Sequence, residues 1–367
     1  MRNSAVKTVC ILTGSMSYGG GTQRAAARLA EMLRKTGQFR VVLIDFNRNA
    51  EPVFFPLPRE VVYRSLRSGN VWQDMRQLRR WLKEFRPSDL ILVESMLGKM
   101  AIPAAFLTGT RVIVWEHGNF FQKQAKDIDL VRRFELLFCK AYVVLTRRDR
   151  RNFRKGFPLI TALRRNTLRT IYNPAVILPP EEISYDENSK KIISVGLYRP
   201  IKGYDLLVEV ARKVFARHSD WRWDVYGSTR HAELNLLDPV FEKVKEYGLE
   251  KNLFFPGEVS PIEPKYREAA ILVMTSRMEG MPLALLEGKT HALPLVSFDI
   301  ETGPDEIIRD GEDGYLVPPY DVDLMAEKIN RLIEDPETRK AFSANSQKGL
   351  EPFREETVLA EWLKLLV

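Results

Sequence analysis

Two carboxylates, Glu279 and Glu287, bracket the stretch Thr-Ser-Arg-Met-Glu-Gly-Met-Pro-Leu-Ala-Leu-Leu-Glu at residues 275–287. The apolar run 270–273 before it reads as a short strand, so the stretch sits at a strand's carboxyl end. Gly280 permits a tight turn. Pro282 suits the first position of a helix, where a missing N–H costs nothing. The apolar Leu283, Leu285 and Leu286 then continue the helix, leaving Glu279 in the loop and Glu287 in the second turn. A strand, a glycine turn and a helix N-terminus form an anion site, because unpaired N–H groups and the positive end of the helix dipole converge there. Acids on either side of that spot would repel a phosphate but suit the neutral hydroxyls of a nucleotide sugar. Taken alone, the same residues favour a surface turn, with Glu279 solvated and Glu287 stabilised by the dipole.

A second glycine turn, Gly196-Leu197-Tyr198-Arg199-Pro200-Ile201-Lys202-Gly203, follows a strand at 191–195 and precedes a helix at 204–217. Two fixed cations in such a turn, Arg199 and Lys202, can neutralise a diphosphate. A third, Ser17-Tyr18-Gly19-Gly20-Gly21-Thr22, lies between a strand at 8–13 and a helix at 23–33. Gly20 and Gly21 let backbone approach a ligand closely. The spacing is not G-x-G-x-x-G, so no dinucleotide site follows. A strand at 111–115 runs into Glu116-His117-Gly118, placing His117 at the mouth of a sheet, where a catalytic or a structural role is open to it.

The elements that must position these groups alternate strand and helix in both halves of the chain. Further strands are expected at 40–46, 90–93 and 141–145, then at 223–226, 253–255, 295–298 and 314–317. The helices between them include 71–85 and 323–334. Each half should therefore be a parallel sheet covered on both faces. Residues 178–189, rich in Pro and acids, read as an inter-domain linker.

A chain of 367 residues is long for one core, and its 45% apolar and 28% charged residues are those of a folded, soluble protein. Cys10 and Cys139 lack metal-site spacing and suit a reducing cytosol as buried core residues. Neither a signal peptide nor a membrane-spanning run is expected. The net charge of +8 conceals a division. Residues 1–174 carry 32 Lys and Arg against 13 Asp and Glu, and residues 175–367 carry 24 against 35. Only the first half is built to meet something anionic. Its densest run holds Arg147, Arg148, Arg150, Arg151, Arg154 and Lys155, interleaved with Phe153, Phe157, Leu159 and Ile160. An anionic membrane surface, nucleic acid and plain solubility all fit such a run. The absence of a nucleic-acid module favours the membrane.

Taken together, these motifs resemble those of the family-4 retaining glycosyltransferases of the GT-B fold. The resemblance rests on Gly19-Gly20-Gly21-Thr22-Gln23-Arg24, Ile171-Tyr172-Asn173-Pro174, Val195-Gly196-Leu197-Tyr198-Arg199 with Lys202-Gly203, and the E-x7-E pair Glu279 and Glu287. Gly303-Pro304-Asp305-Glu306-Ile307-Ile308 and the stretch 311–318 complete it. It is most similar to bacterial enzymes that build lipid-linked oligosaccharides, O-antigen or capsule.

The resemblance implies an α/β chain of two Rossmann-like doubly wound domains facing across a cleft. The first, 1–174, would bind the acceptor and the second, 175–352, the nucleotide sugar, with a helix at 353–367 crossing back. Arg199 and Lys202 would hold the donor diphosphate, Glu279 the transferred sugar and Glu287 the ribose. Gly280 with the amides of Met281, Pro282 and Leu283 would cap the phosphates. Gly20 and Gly21 would close the acceptor side, and His117 would lie near the reacting sugar.

No metal and no cofactor is expected, since Asp127-Ile128-Asp129 and Asp321-Val322-Asp323 adjoin helices and read as solvated or helix-start acids. The implied partners are a nucleotide sugar (UDP rather than GDP), a glycan or polyprenyl-linked acceptor and an anionic membrane, with no nucleic acid. The implied location is cytoplasmic, at the inner leaflet of the plasma membrane. Two alternatives remain open: a soluble transferase acting on a small acceptor, and a non-enzymatic nucleotide- or nucleic-acid-binding protein of similar fold. One departure is that Ala292 replaces the glycine that usually ends the helix after Glu287, so a different C-cap is expected there.

Overall fold

Short aliphatic runs buried on both faces, such as Val-Cys-Ile-Leu at 9–12 and Ile-Leu-Val-Met at 271–274, satisfy their backbone here in the middle of covered parallel sheets. The computed structural model describes residues 6–123, 125–228 and 237–366, and in it these runs build two such sheets.

The first unit comprises residues 1–174 and 355–367. Its strands are β1 (Lys7–Leu12), β2 (Phe39–Asp45), β3 (Val62–Ser65), β4 (Asp89–Val93), β5 (Arg111–Trp115), β6 (Ala141–Val144) and β7 (Leu168–Thr170). They pair in parallel in the order β3-β2-β1-β4-β5-β6-β7. The helices between them are α1 (Gly21–Lys35), α2 (Val71–Phe85), α3 (Gly98–Ala105), α4 (Ile128–Phe138), α5 (Arg147–Gly156) and α6 (Pro158–Leu163). The sequence shows no strand signal at β3 or β7, because both are short edge strands with no continuous apolar run.

The second unit comprises residues 175–354. Its strands β8 (Lys191–Val195), β9 (Arg222–Tyr226), β10 (Leu253–Gly257), β11 (Ile271–Met274), β12 (Leu295–Phe298) and β13 (Gly314–Val317) are also parallel, ordered β10-β9-β8-β11-β12-β13. Its helices are α7 (Tyr204–Phe215), α8 (Asp238–Glu246), α9 (Glu263–Arg267), α10 (Leu283–Thr290), α11 (Pro304–Ile307), α12 (Val322–Glu334) and α13 (Pro336–Asn345). The Pro- and acid-rich stretch 178–189 is bound to this unit. Tyr185 donates to the Ala270 carbonyl (3.0 Å), Ser189 to that of Glu268 (2.6 Å), and Arg339 to that of Glu187 (2.8 Å).

The last helix, α14 (Glu355–Leu366), belongs to the first unit. Trp362 is fully buried against Trp115 with ring centroids 5.0 Å apart, and Glu355 pairs with Arg28 of α1.

In each sheet the strand order reverses once, between β1 and β4 and between β8 and β11. At such a point neighbouring loops diverge to opposite faces and leave a crevice beyond the strand carboxyl ends, where ligands of doubly wound sheets bind.

Candidate functional site

In the second unit the loops leaving β8 and β11 flank the reversal, and each delivers one charged group. Lys202 ends a 3-10 turn, Pro200–Lys202, and Gly203 follows with φ +66°. A Cβ on Gly203 would lie 2.2 Å from the Thr275 carbonyl oxygen, so only glycine allows the two loops to close on each other. Arg277 N–H bonds to the Ile201 carbonyl (2.8 Å), and its guanidinium forks onto both oxygens of Asp205 (2.7 Å each). That clamp brings the Lys202 ammonium 2.6 Å from Glu279 Oε1, which also accepts from Ser276 at 2.6 Å.

The turn carrying Glu279 is braced from behind. Thr302 donates to the Glu279 carbonyl, and Gly303 (φ +105°) lies so near Pro282 that a Cβ would come within 2.5 Å of its ring. The helix α10 begins at Leu283, with Pro282 outside it as the N-cap residue. Pro282 lacks an N–H, which corrects the expected cap of Met281, Pro282 and Leu283. The first helical amides, Leu283 and Ala284, are the ones without a partner in the helix.

Glu287 lies one turn further on, its Oε2 receiving a 2.7 Å bond from Tyr266, which is fully buried. Arg199 stands apart from this ion pair. It lines a cavity of about 360 Å³ together with Tyr204, Asp205, Val240 and Arg277. Each acid of the two Asp-x-Asp pairs has a protein partner. Asp321 caps α12, Asp323 pairs with Lys213, Asp127 with Lys99 and Asp129 with Lys123 (2.5 Å).

Ala292 overturns the expected change of C-cap. It adopts the left-handed conformation itself (φ 59°), and Leu293 N–H bonds back to the Gly288 carbonyl (2.9 Å). The helix end keeps the geometry in which a glycine would sit without strain, at a cost of roughly 1–2 kcal/mol for an L-residue.

The first unit holds the remaining candidates. Gly20 is the N-cap of α1 and Gly21 its first residue, both following β1. His117 follows β5, its ring 4.4 Å from that of Trp115, and its Nε2 is enclosed without a hydrogen-bond partner. Burial pushes its pKa down from the ordinary 6.5 to about 3, so the ring is neutral at physiological pH. Between those two values the unfolded chain binds the extra proton. Stability from this group is present above pH 6.5 and lost as pH falls towards 3. The stability difference between wild type and His117→Asn, followed by urea unfolding, is therefore expected to shrink as pH is lowered from 7 to 4. A pH-independent difference would mean that the ring is not held neutral.

The loop carrying His117 is fixed by a group the sequence does not advertise. Arg132 of α4, fully buried, bonds Glu116 Oε2 through Nε (3.2 Å) and Nη2 (3.1 Å). It also donates to the carbonyls of Asn119 (2.9 Å) and Phe120 (2.8 Å). Tyr266 and Thr302 are further contributors that no motif marks, since each acts through a contact distant in sequence.

The basic run 147–155 forms α5 as a one-sided helix. Arg147, Arg151, Arg154 and Lys155 are exposed, while Arg148 and Arg150 are half-buried. Phe153 and Phe157 are core residues, packed with Phe120 and Tyr142. This corrects the reading of them as an aromatic face interleaved with cations: their ring area is already spent inside.

The second unit thus places a cation, two acids and a helix N-terminus at the reversal of a parallel doubly wound sheet. Residues 19–175 match the model for Glycosyltransferase Family 4, and residues 180–349 the model for Glycosyl transferases group 1. The chain belongs to these glycosyltransferases and has the GT-B fold.

It is 27% identical to the amylovoran biosynthesis glycosyltransferase AmsD of Erwinia amylovora, covering 97% of this chain and 98% of that one. It is 25% identical to the GalNAc-alpha-(1->4)-GalNAc-alpha-(1->3)-diNAcBac-PP-undecaprenol alpha-1,4-N-acetyl-D-galactosaminyltransferase of Campylobacter jejuni, covering 95% of each. Among solved structures, Anabaena Alr3699/HepE in complex with UDP and glucose superposes with a TM-score of 0.83 at 16% identity, over 98% of this chain and 99% of that one. Sucrose-phosphate synthase from Thermosynechococcus elongatus superposes at 0.80 and 14% identity, over 98% of each chain.

Proposed function

We propose that this glycosyltransferase moves a hexose or N-acetylhexosamine, with retention, from a UDP-linked sugar to a hydroxyl of a growing, lipid-linked bacterial surface glycan. The observation that carries the reading is the 2.6 Å contact of Lys202 with Glu279 at the β8/β11 reversal, beside the N-terminus of α10. Breaking an anomeric C–O bond leaves negative charge on a diphosphate. Lys202 and the first amides of α10 supply fixed positive charge for it, with little reorganisation. In the resting protein Glu279 keeps Lys202 company. When the donor binds, the ammonium turns to phosphate and Glu279 to the sugar hydroxyls, so both charges stay compensated. Glu287, oriented by Tyr266, takes the ribose.

The capping and ion-pair contacts of the Asp-x-Asp acids support a reaction that needs no divalent ion, and EDTA should leave the rate unchanged. The acceptor hydroxyl attacks from the face the diphosphate leaves. Both full-length relatives named above are bacterial glycan enzymes, one acting on an undecaprenol-linked substrate by its name, and this supports a lipid-linked acceptor. The positive first half suits a place at the anionic inner leaflet of the plasma membrane, on the cytoplasmic side. None of the described helices is long and apolar enough to cross a bilayer.

A melting-temperature screen against UDP-, GDP- and dTDP-sugars tests the donor. A ligand that binds only the folded form raises the melting point, and a rise confined to UDP-sugars is expected. A rise only with GDP-sugars would replace the base, and no rise with any would remove the donor site.

Replacing Glu287 by Ala should raise the donor KM about 10- to 100-fold, the worth of a hydrogen bond to a charged group, with kcat little changed. Initial-rate kinetics showing an unaltered KM would take Glu287 off the ribose.

A further inference from the structure

The inward face of α4 buries Ile128, Val131, Arg132, Glu135 and Leu136. Its outward face is no more polar. Leu130, Phe134, Leu137 and Phe138 recur there at helical spacing, with Leu130 69% and Phe138 62% exposed and the two phenylalanine rings 4.9 Å apart. The short helix α6 packs against α4 and α5 and adds Leu159 and Leu163, one turn apart and 85% and 77% exposed. Single exposed leucines need no explanation, but a helix with large apolar side chains on its exposed side, next to a second apolar ridge, is one that something else covers.

Cations border this ridge. Arg133 rises from the α4 stripe over the Phe157 ring at 5.3 Å, Arg151, Arg154 and Lys155 stand exposed on α5, and Arg165 follows α6. Arg150 has Arg154 and Arg169 as its like-charged neighbours, and none of the three has an ion-pair partner among the described residues. Such a group invites a spread of anions. Because Phe153 of α5 and Phe157 just after it are buried, that helix can contribute charge but not insertion, and only α4 and α6 can enter an apolar phase.

We infer that the α4–α6 ridge is a membrane-insertion surface that seats in the acyl boundary of an anionic phospholipid leaflet, with the α5 cations in its headgroups. Charge complementarity selects this occupant over a second copy of the chain, whose matching surface would bring the same cations together. The inference rests on the membrane part of the proposed function and changes its physics. Attachment is not only electrostatic, so part of it must survive salt that screens charge.

The full-length chain is tested by flotation with vesicles of phosphatidylethanolamine and phosphatidylglycerol (3:1) and of phosphatidylcholine alone, at low salt and at about 0.5 M NaCl, where the screening length is only a few ångströms. Wild type should bind the anionic vesicles and keep a measurable fraction bound at high salt. Leu159→Ser with Leu163→Ser should weaken binding about 100-fold, the transfer cost of two leucines, and abolish the salt-resistant part. Arg151→Gln with Arg154→Gln and Lys155→Gln should abolish the preference for phosphatidylglycerol. Both variants should keep the melting shift with UDP, which shows that they are folded and that the donor site is intact. Two results would overturn the surface: leucine variants that float like wild type at high salt, or a wild-type dimer in sedimentation that the leucine substitutions dissociate. Loss of the UDP shift in wild type, with vesicle binding intact, would strike the donor reading and leave the surface standing.

Discussion

Lys202→Ala should lower kcat by about 10²–10³-fold, since removing one preorganised donor from a developing oxyanion costs about 2.7–4 kcal/mol. The ammonium is placed for this by a loop that cannot shift cheaply. Gly203 holds a left-handed turn against Thr275, Arg277 pins both loops to Asp205, and the Lys202 side chain is mostly buried beside Glu279. Loss of the cation would also remove the ion pair that holds Glu279 in place, so the donor KM should rise as well, though less than kcat falls. Lys202→Arg keeps the charge but cannot reproduce its position and should recover only part of the rate. Steady-state rates with the nucleotide sugar identified by the melting screen decide the matter. A variant working at near-wild-type rate would remove Lys202 from the mechanism.

Arg132→Met should destabilise the protein by about 3–5 kcal/mol, the usual result of taking one partner from a buried pair. Arg132 and Glu116 are almost wholly enclosed. Glu116 also accepts from Gly118 N–H (3.0 Å) and Tyr142 Oη (3.2 Å), so the carboxylate left behind would have hydrogen bonds but no charge to balance it. The Asn119 and Phe120 carbonyls would lose their donor too, and with them the loop that presents His117. Urea unfolding measures the loss. Glu116→Gln in the Arg132→Met background should restore part of it by removing the orphan charge, which a general packing defect would not allow. A loss below about 1 kcal/mol would mean that the loop is held by other contacts.

Local pattern made much of this protein readable in advance. Strands such as β1, β8 and β11 are continuous apolar runs, and the turns after them carry glycines where the backbone must close tightly, so strand, turn and helix could be placed by short-range rules. Glu279, Glu287, Arg199 and Lys202 stood out because they fall at the ends of those strands. What the chain alone determined is therefore the alternation of elements, the parallel character of the two sheets and the family that its ordered motifs mark.

The tertiary structure decided which of those residues meet. Lys202 and Glu279 are far apart in sequence and touch only because β8 and β11 are neighbours at the point where strand order reverses, while Arg199, three residues before Lys202, lines a cavity with Tyr204, Val240 and Arg277. It decided that Phe153 and Phe157 are core, whereas Leu159 and Leu163, with the same local pattern, are bare. It decided that Ala292 would bear a glycine's backbone angle. Periodicity reports a side chain's direction relative to its own helix, but burial depends on what the rest of the chain sets against that face. Long-range packing, which no local spacing encodes, is the quantity that separates a site from a list of its residues.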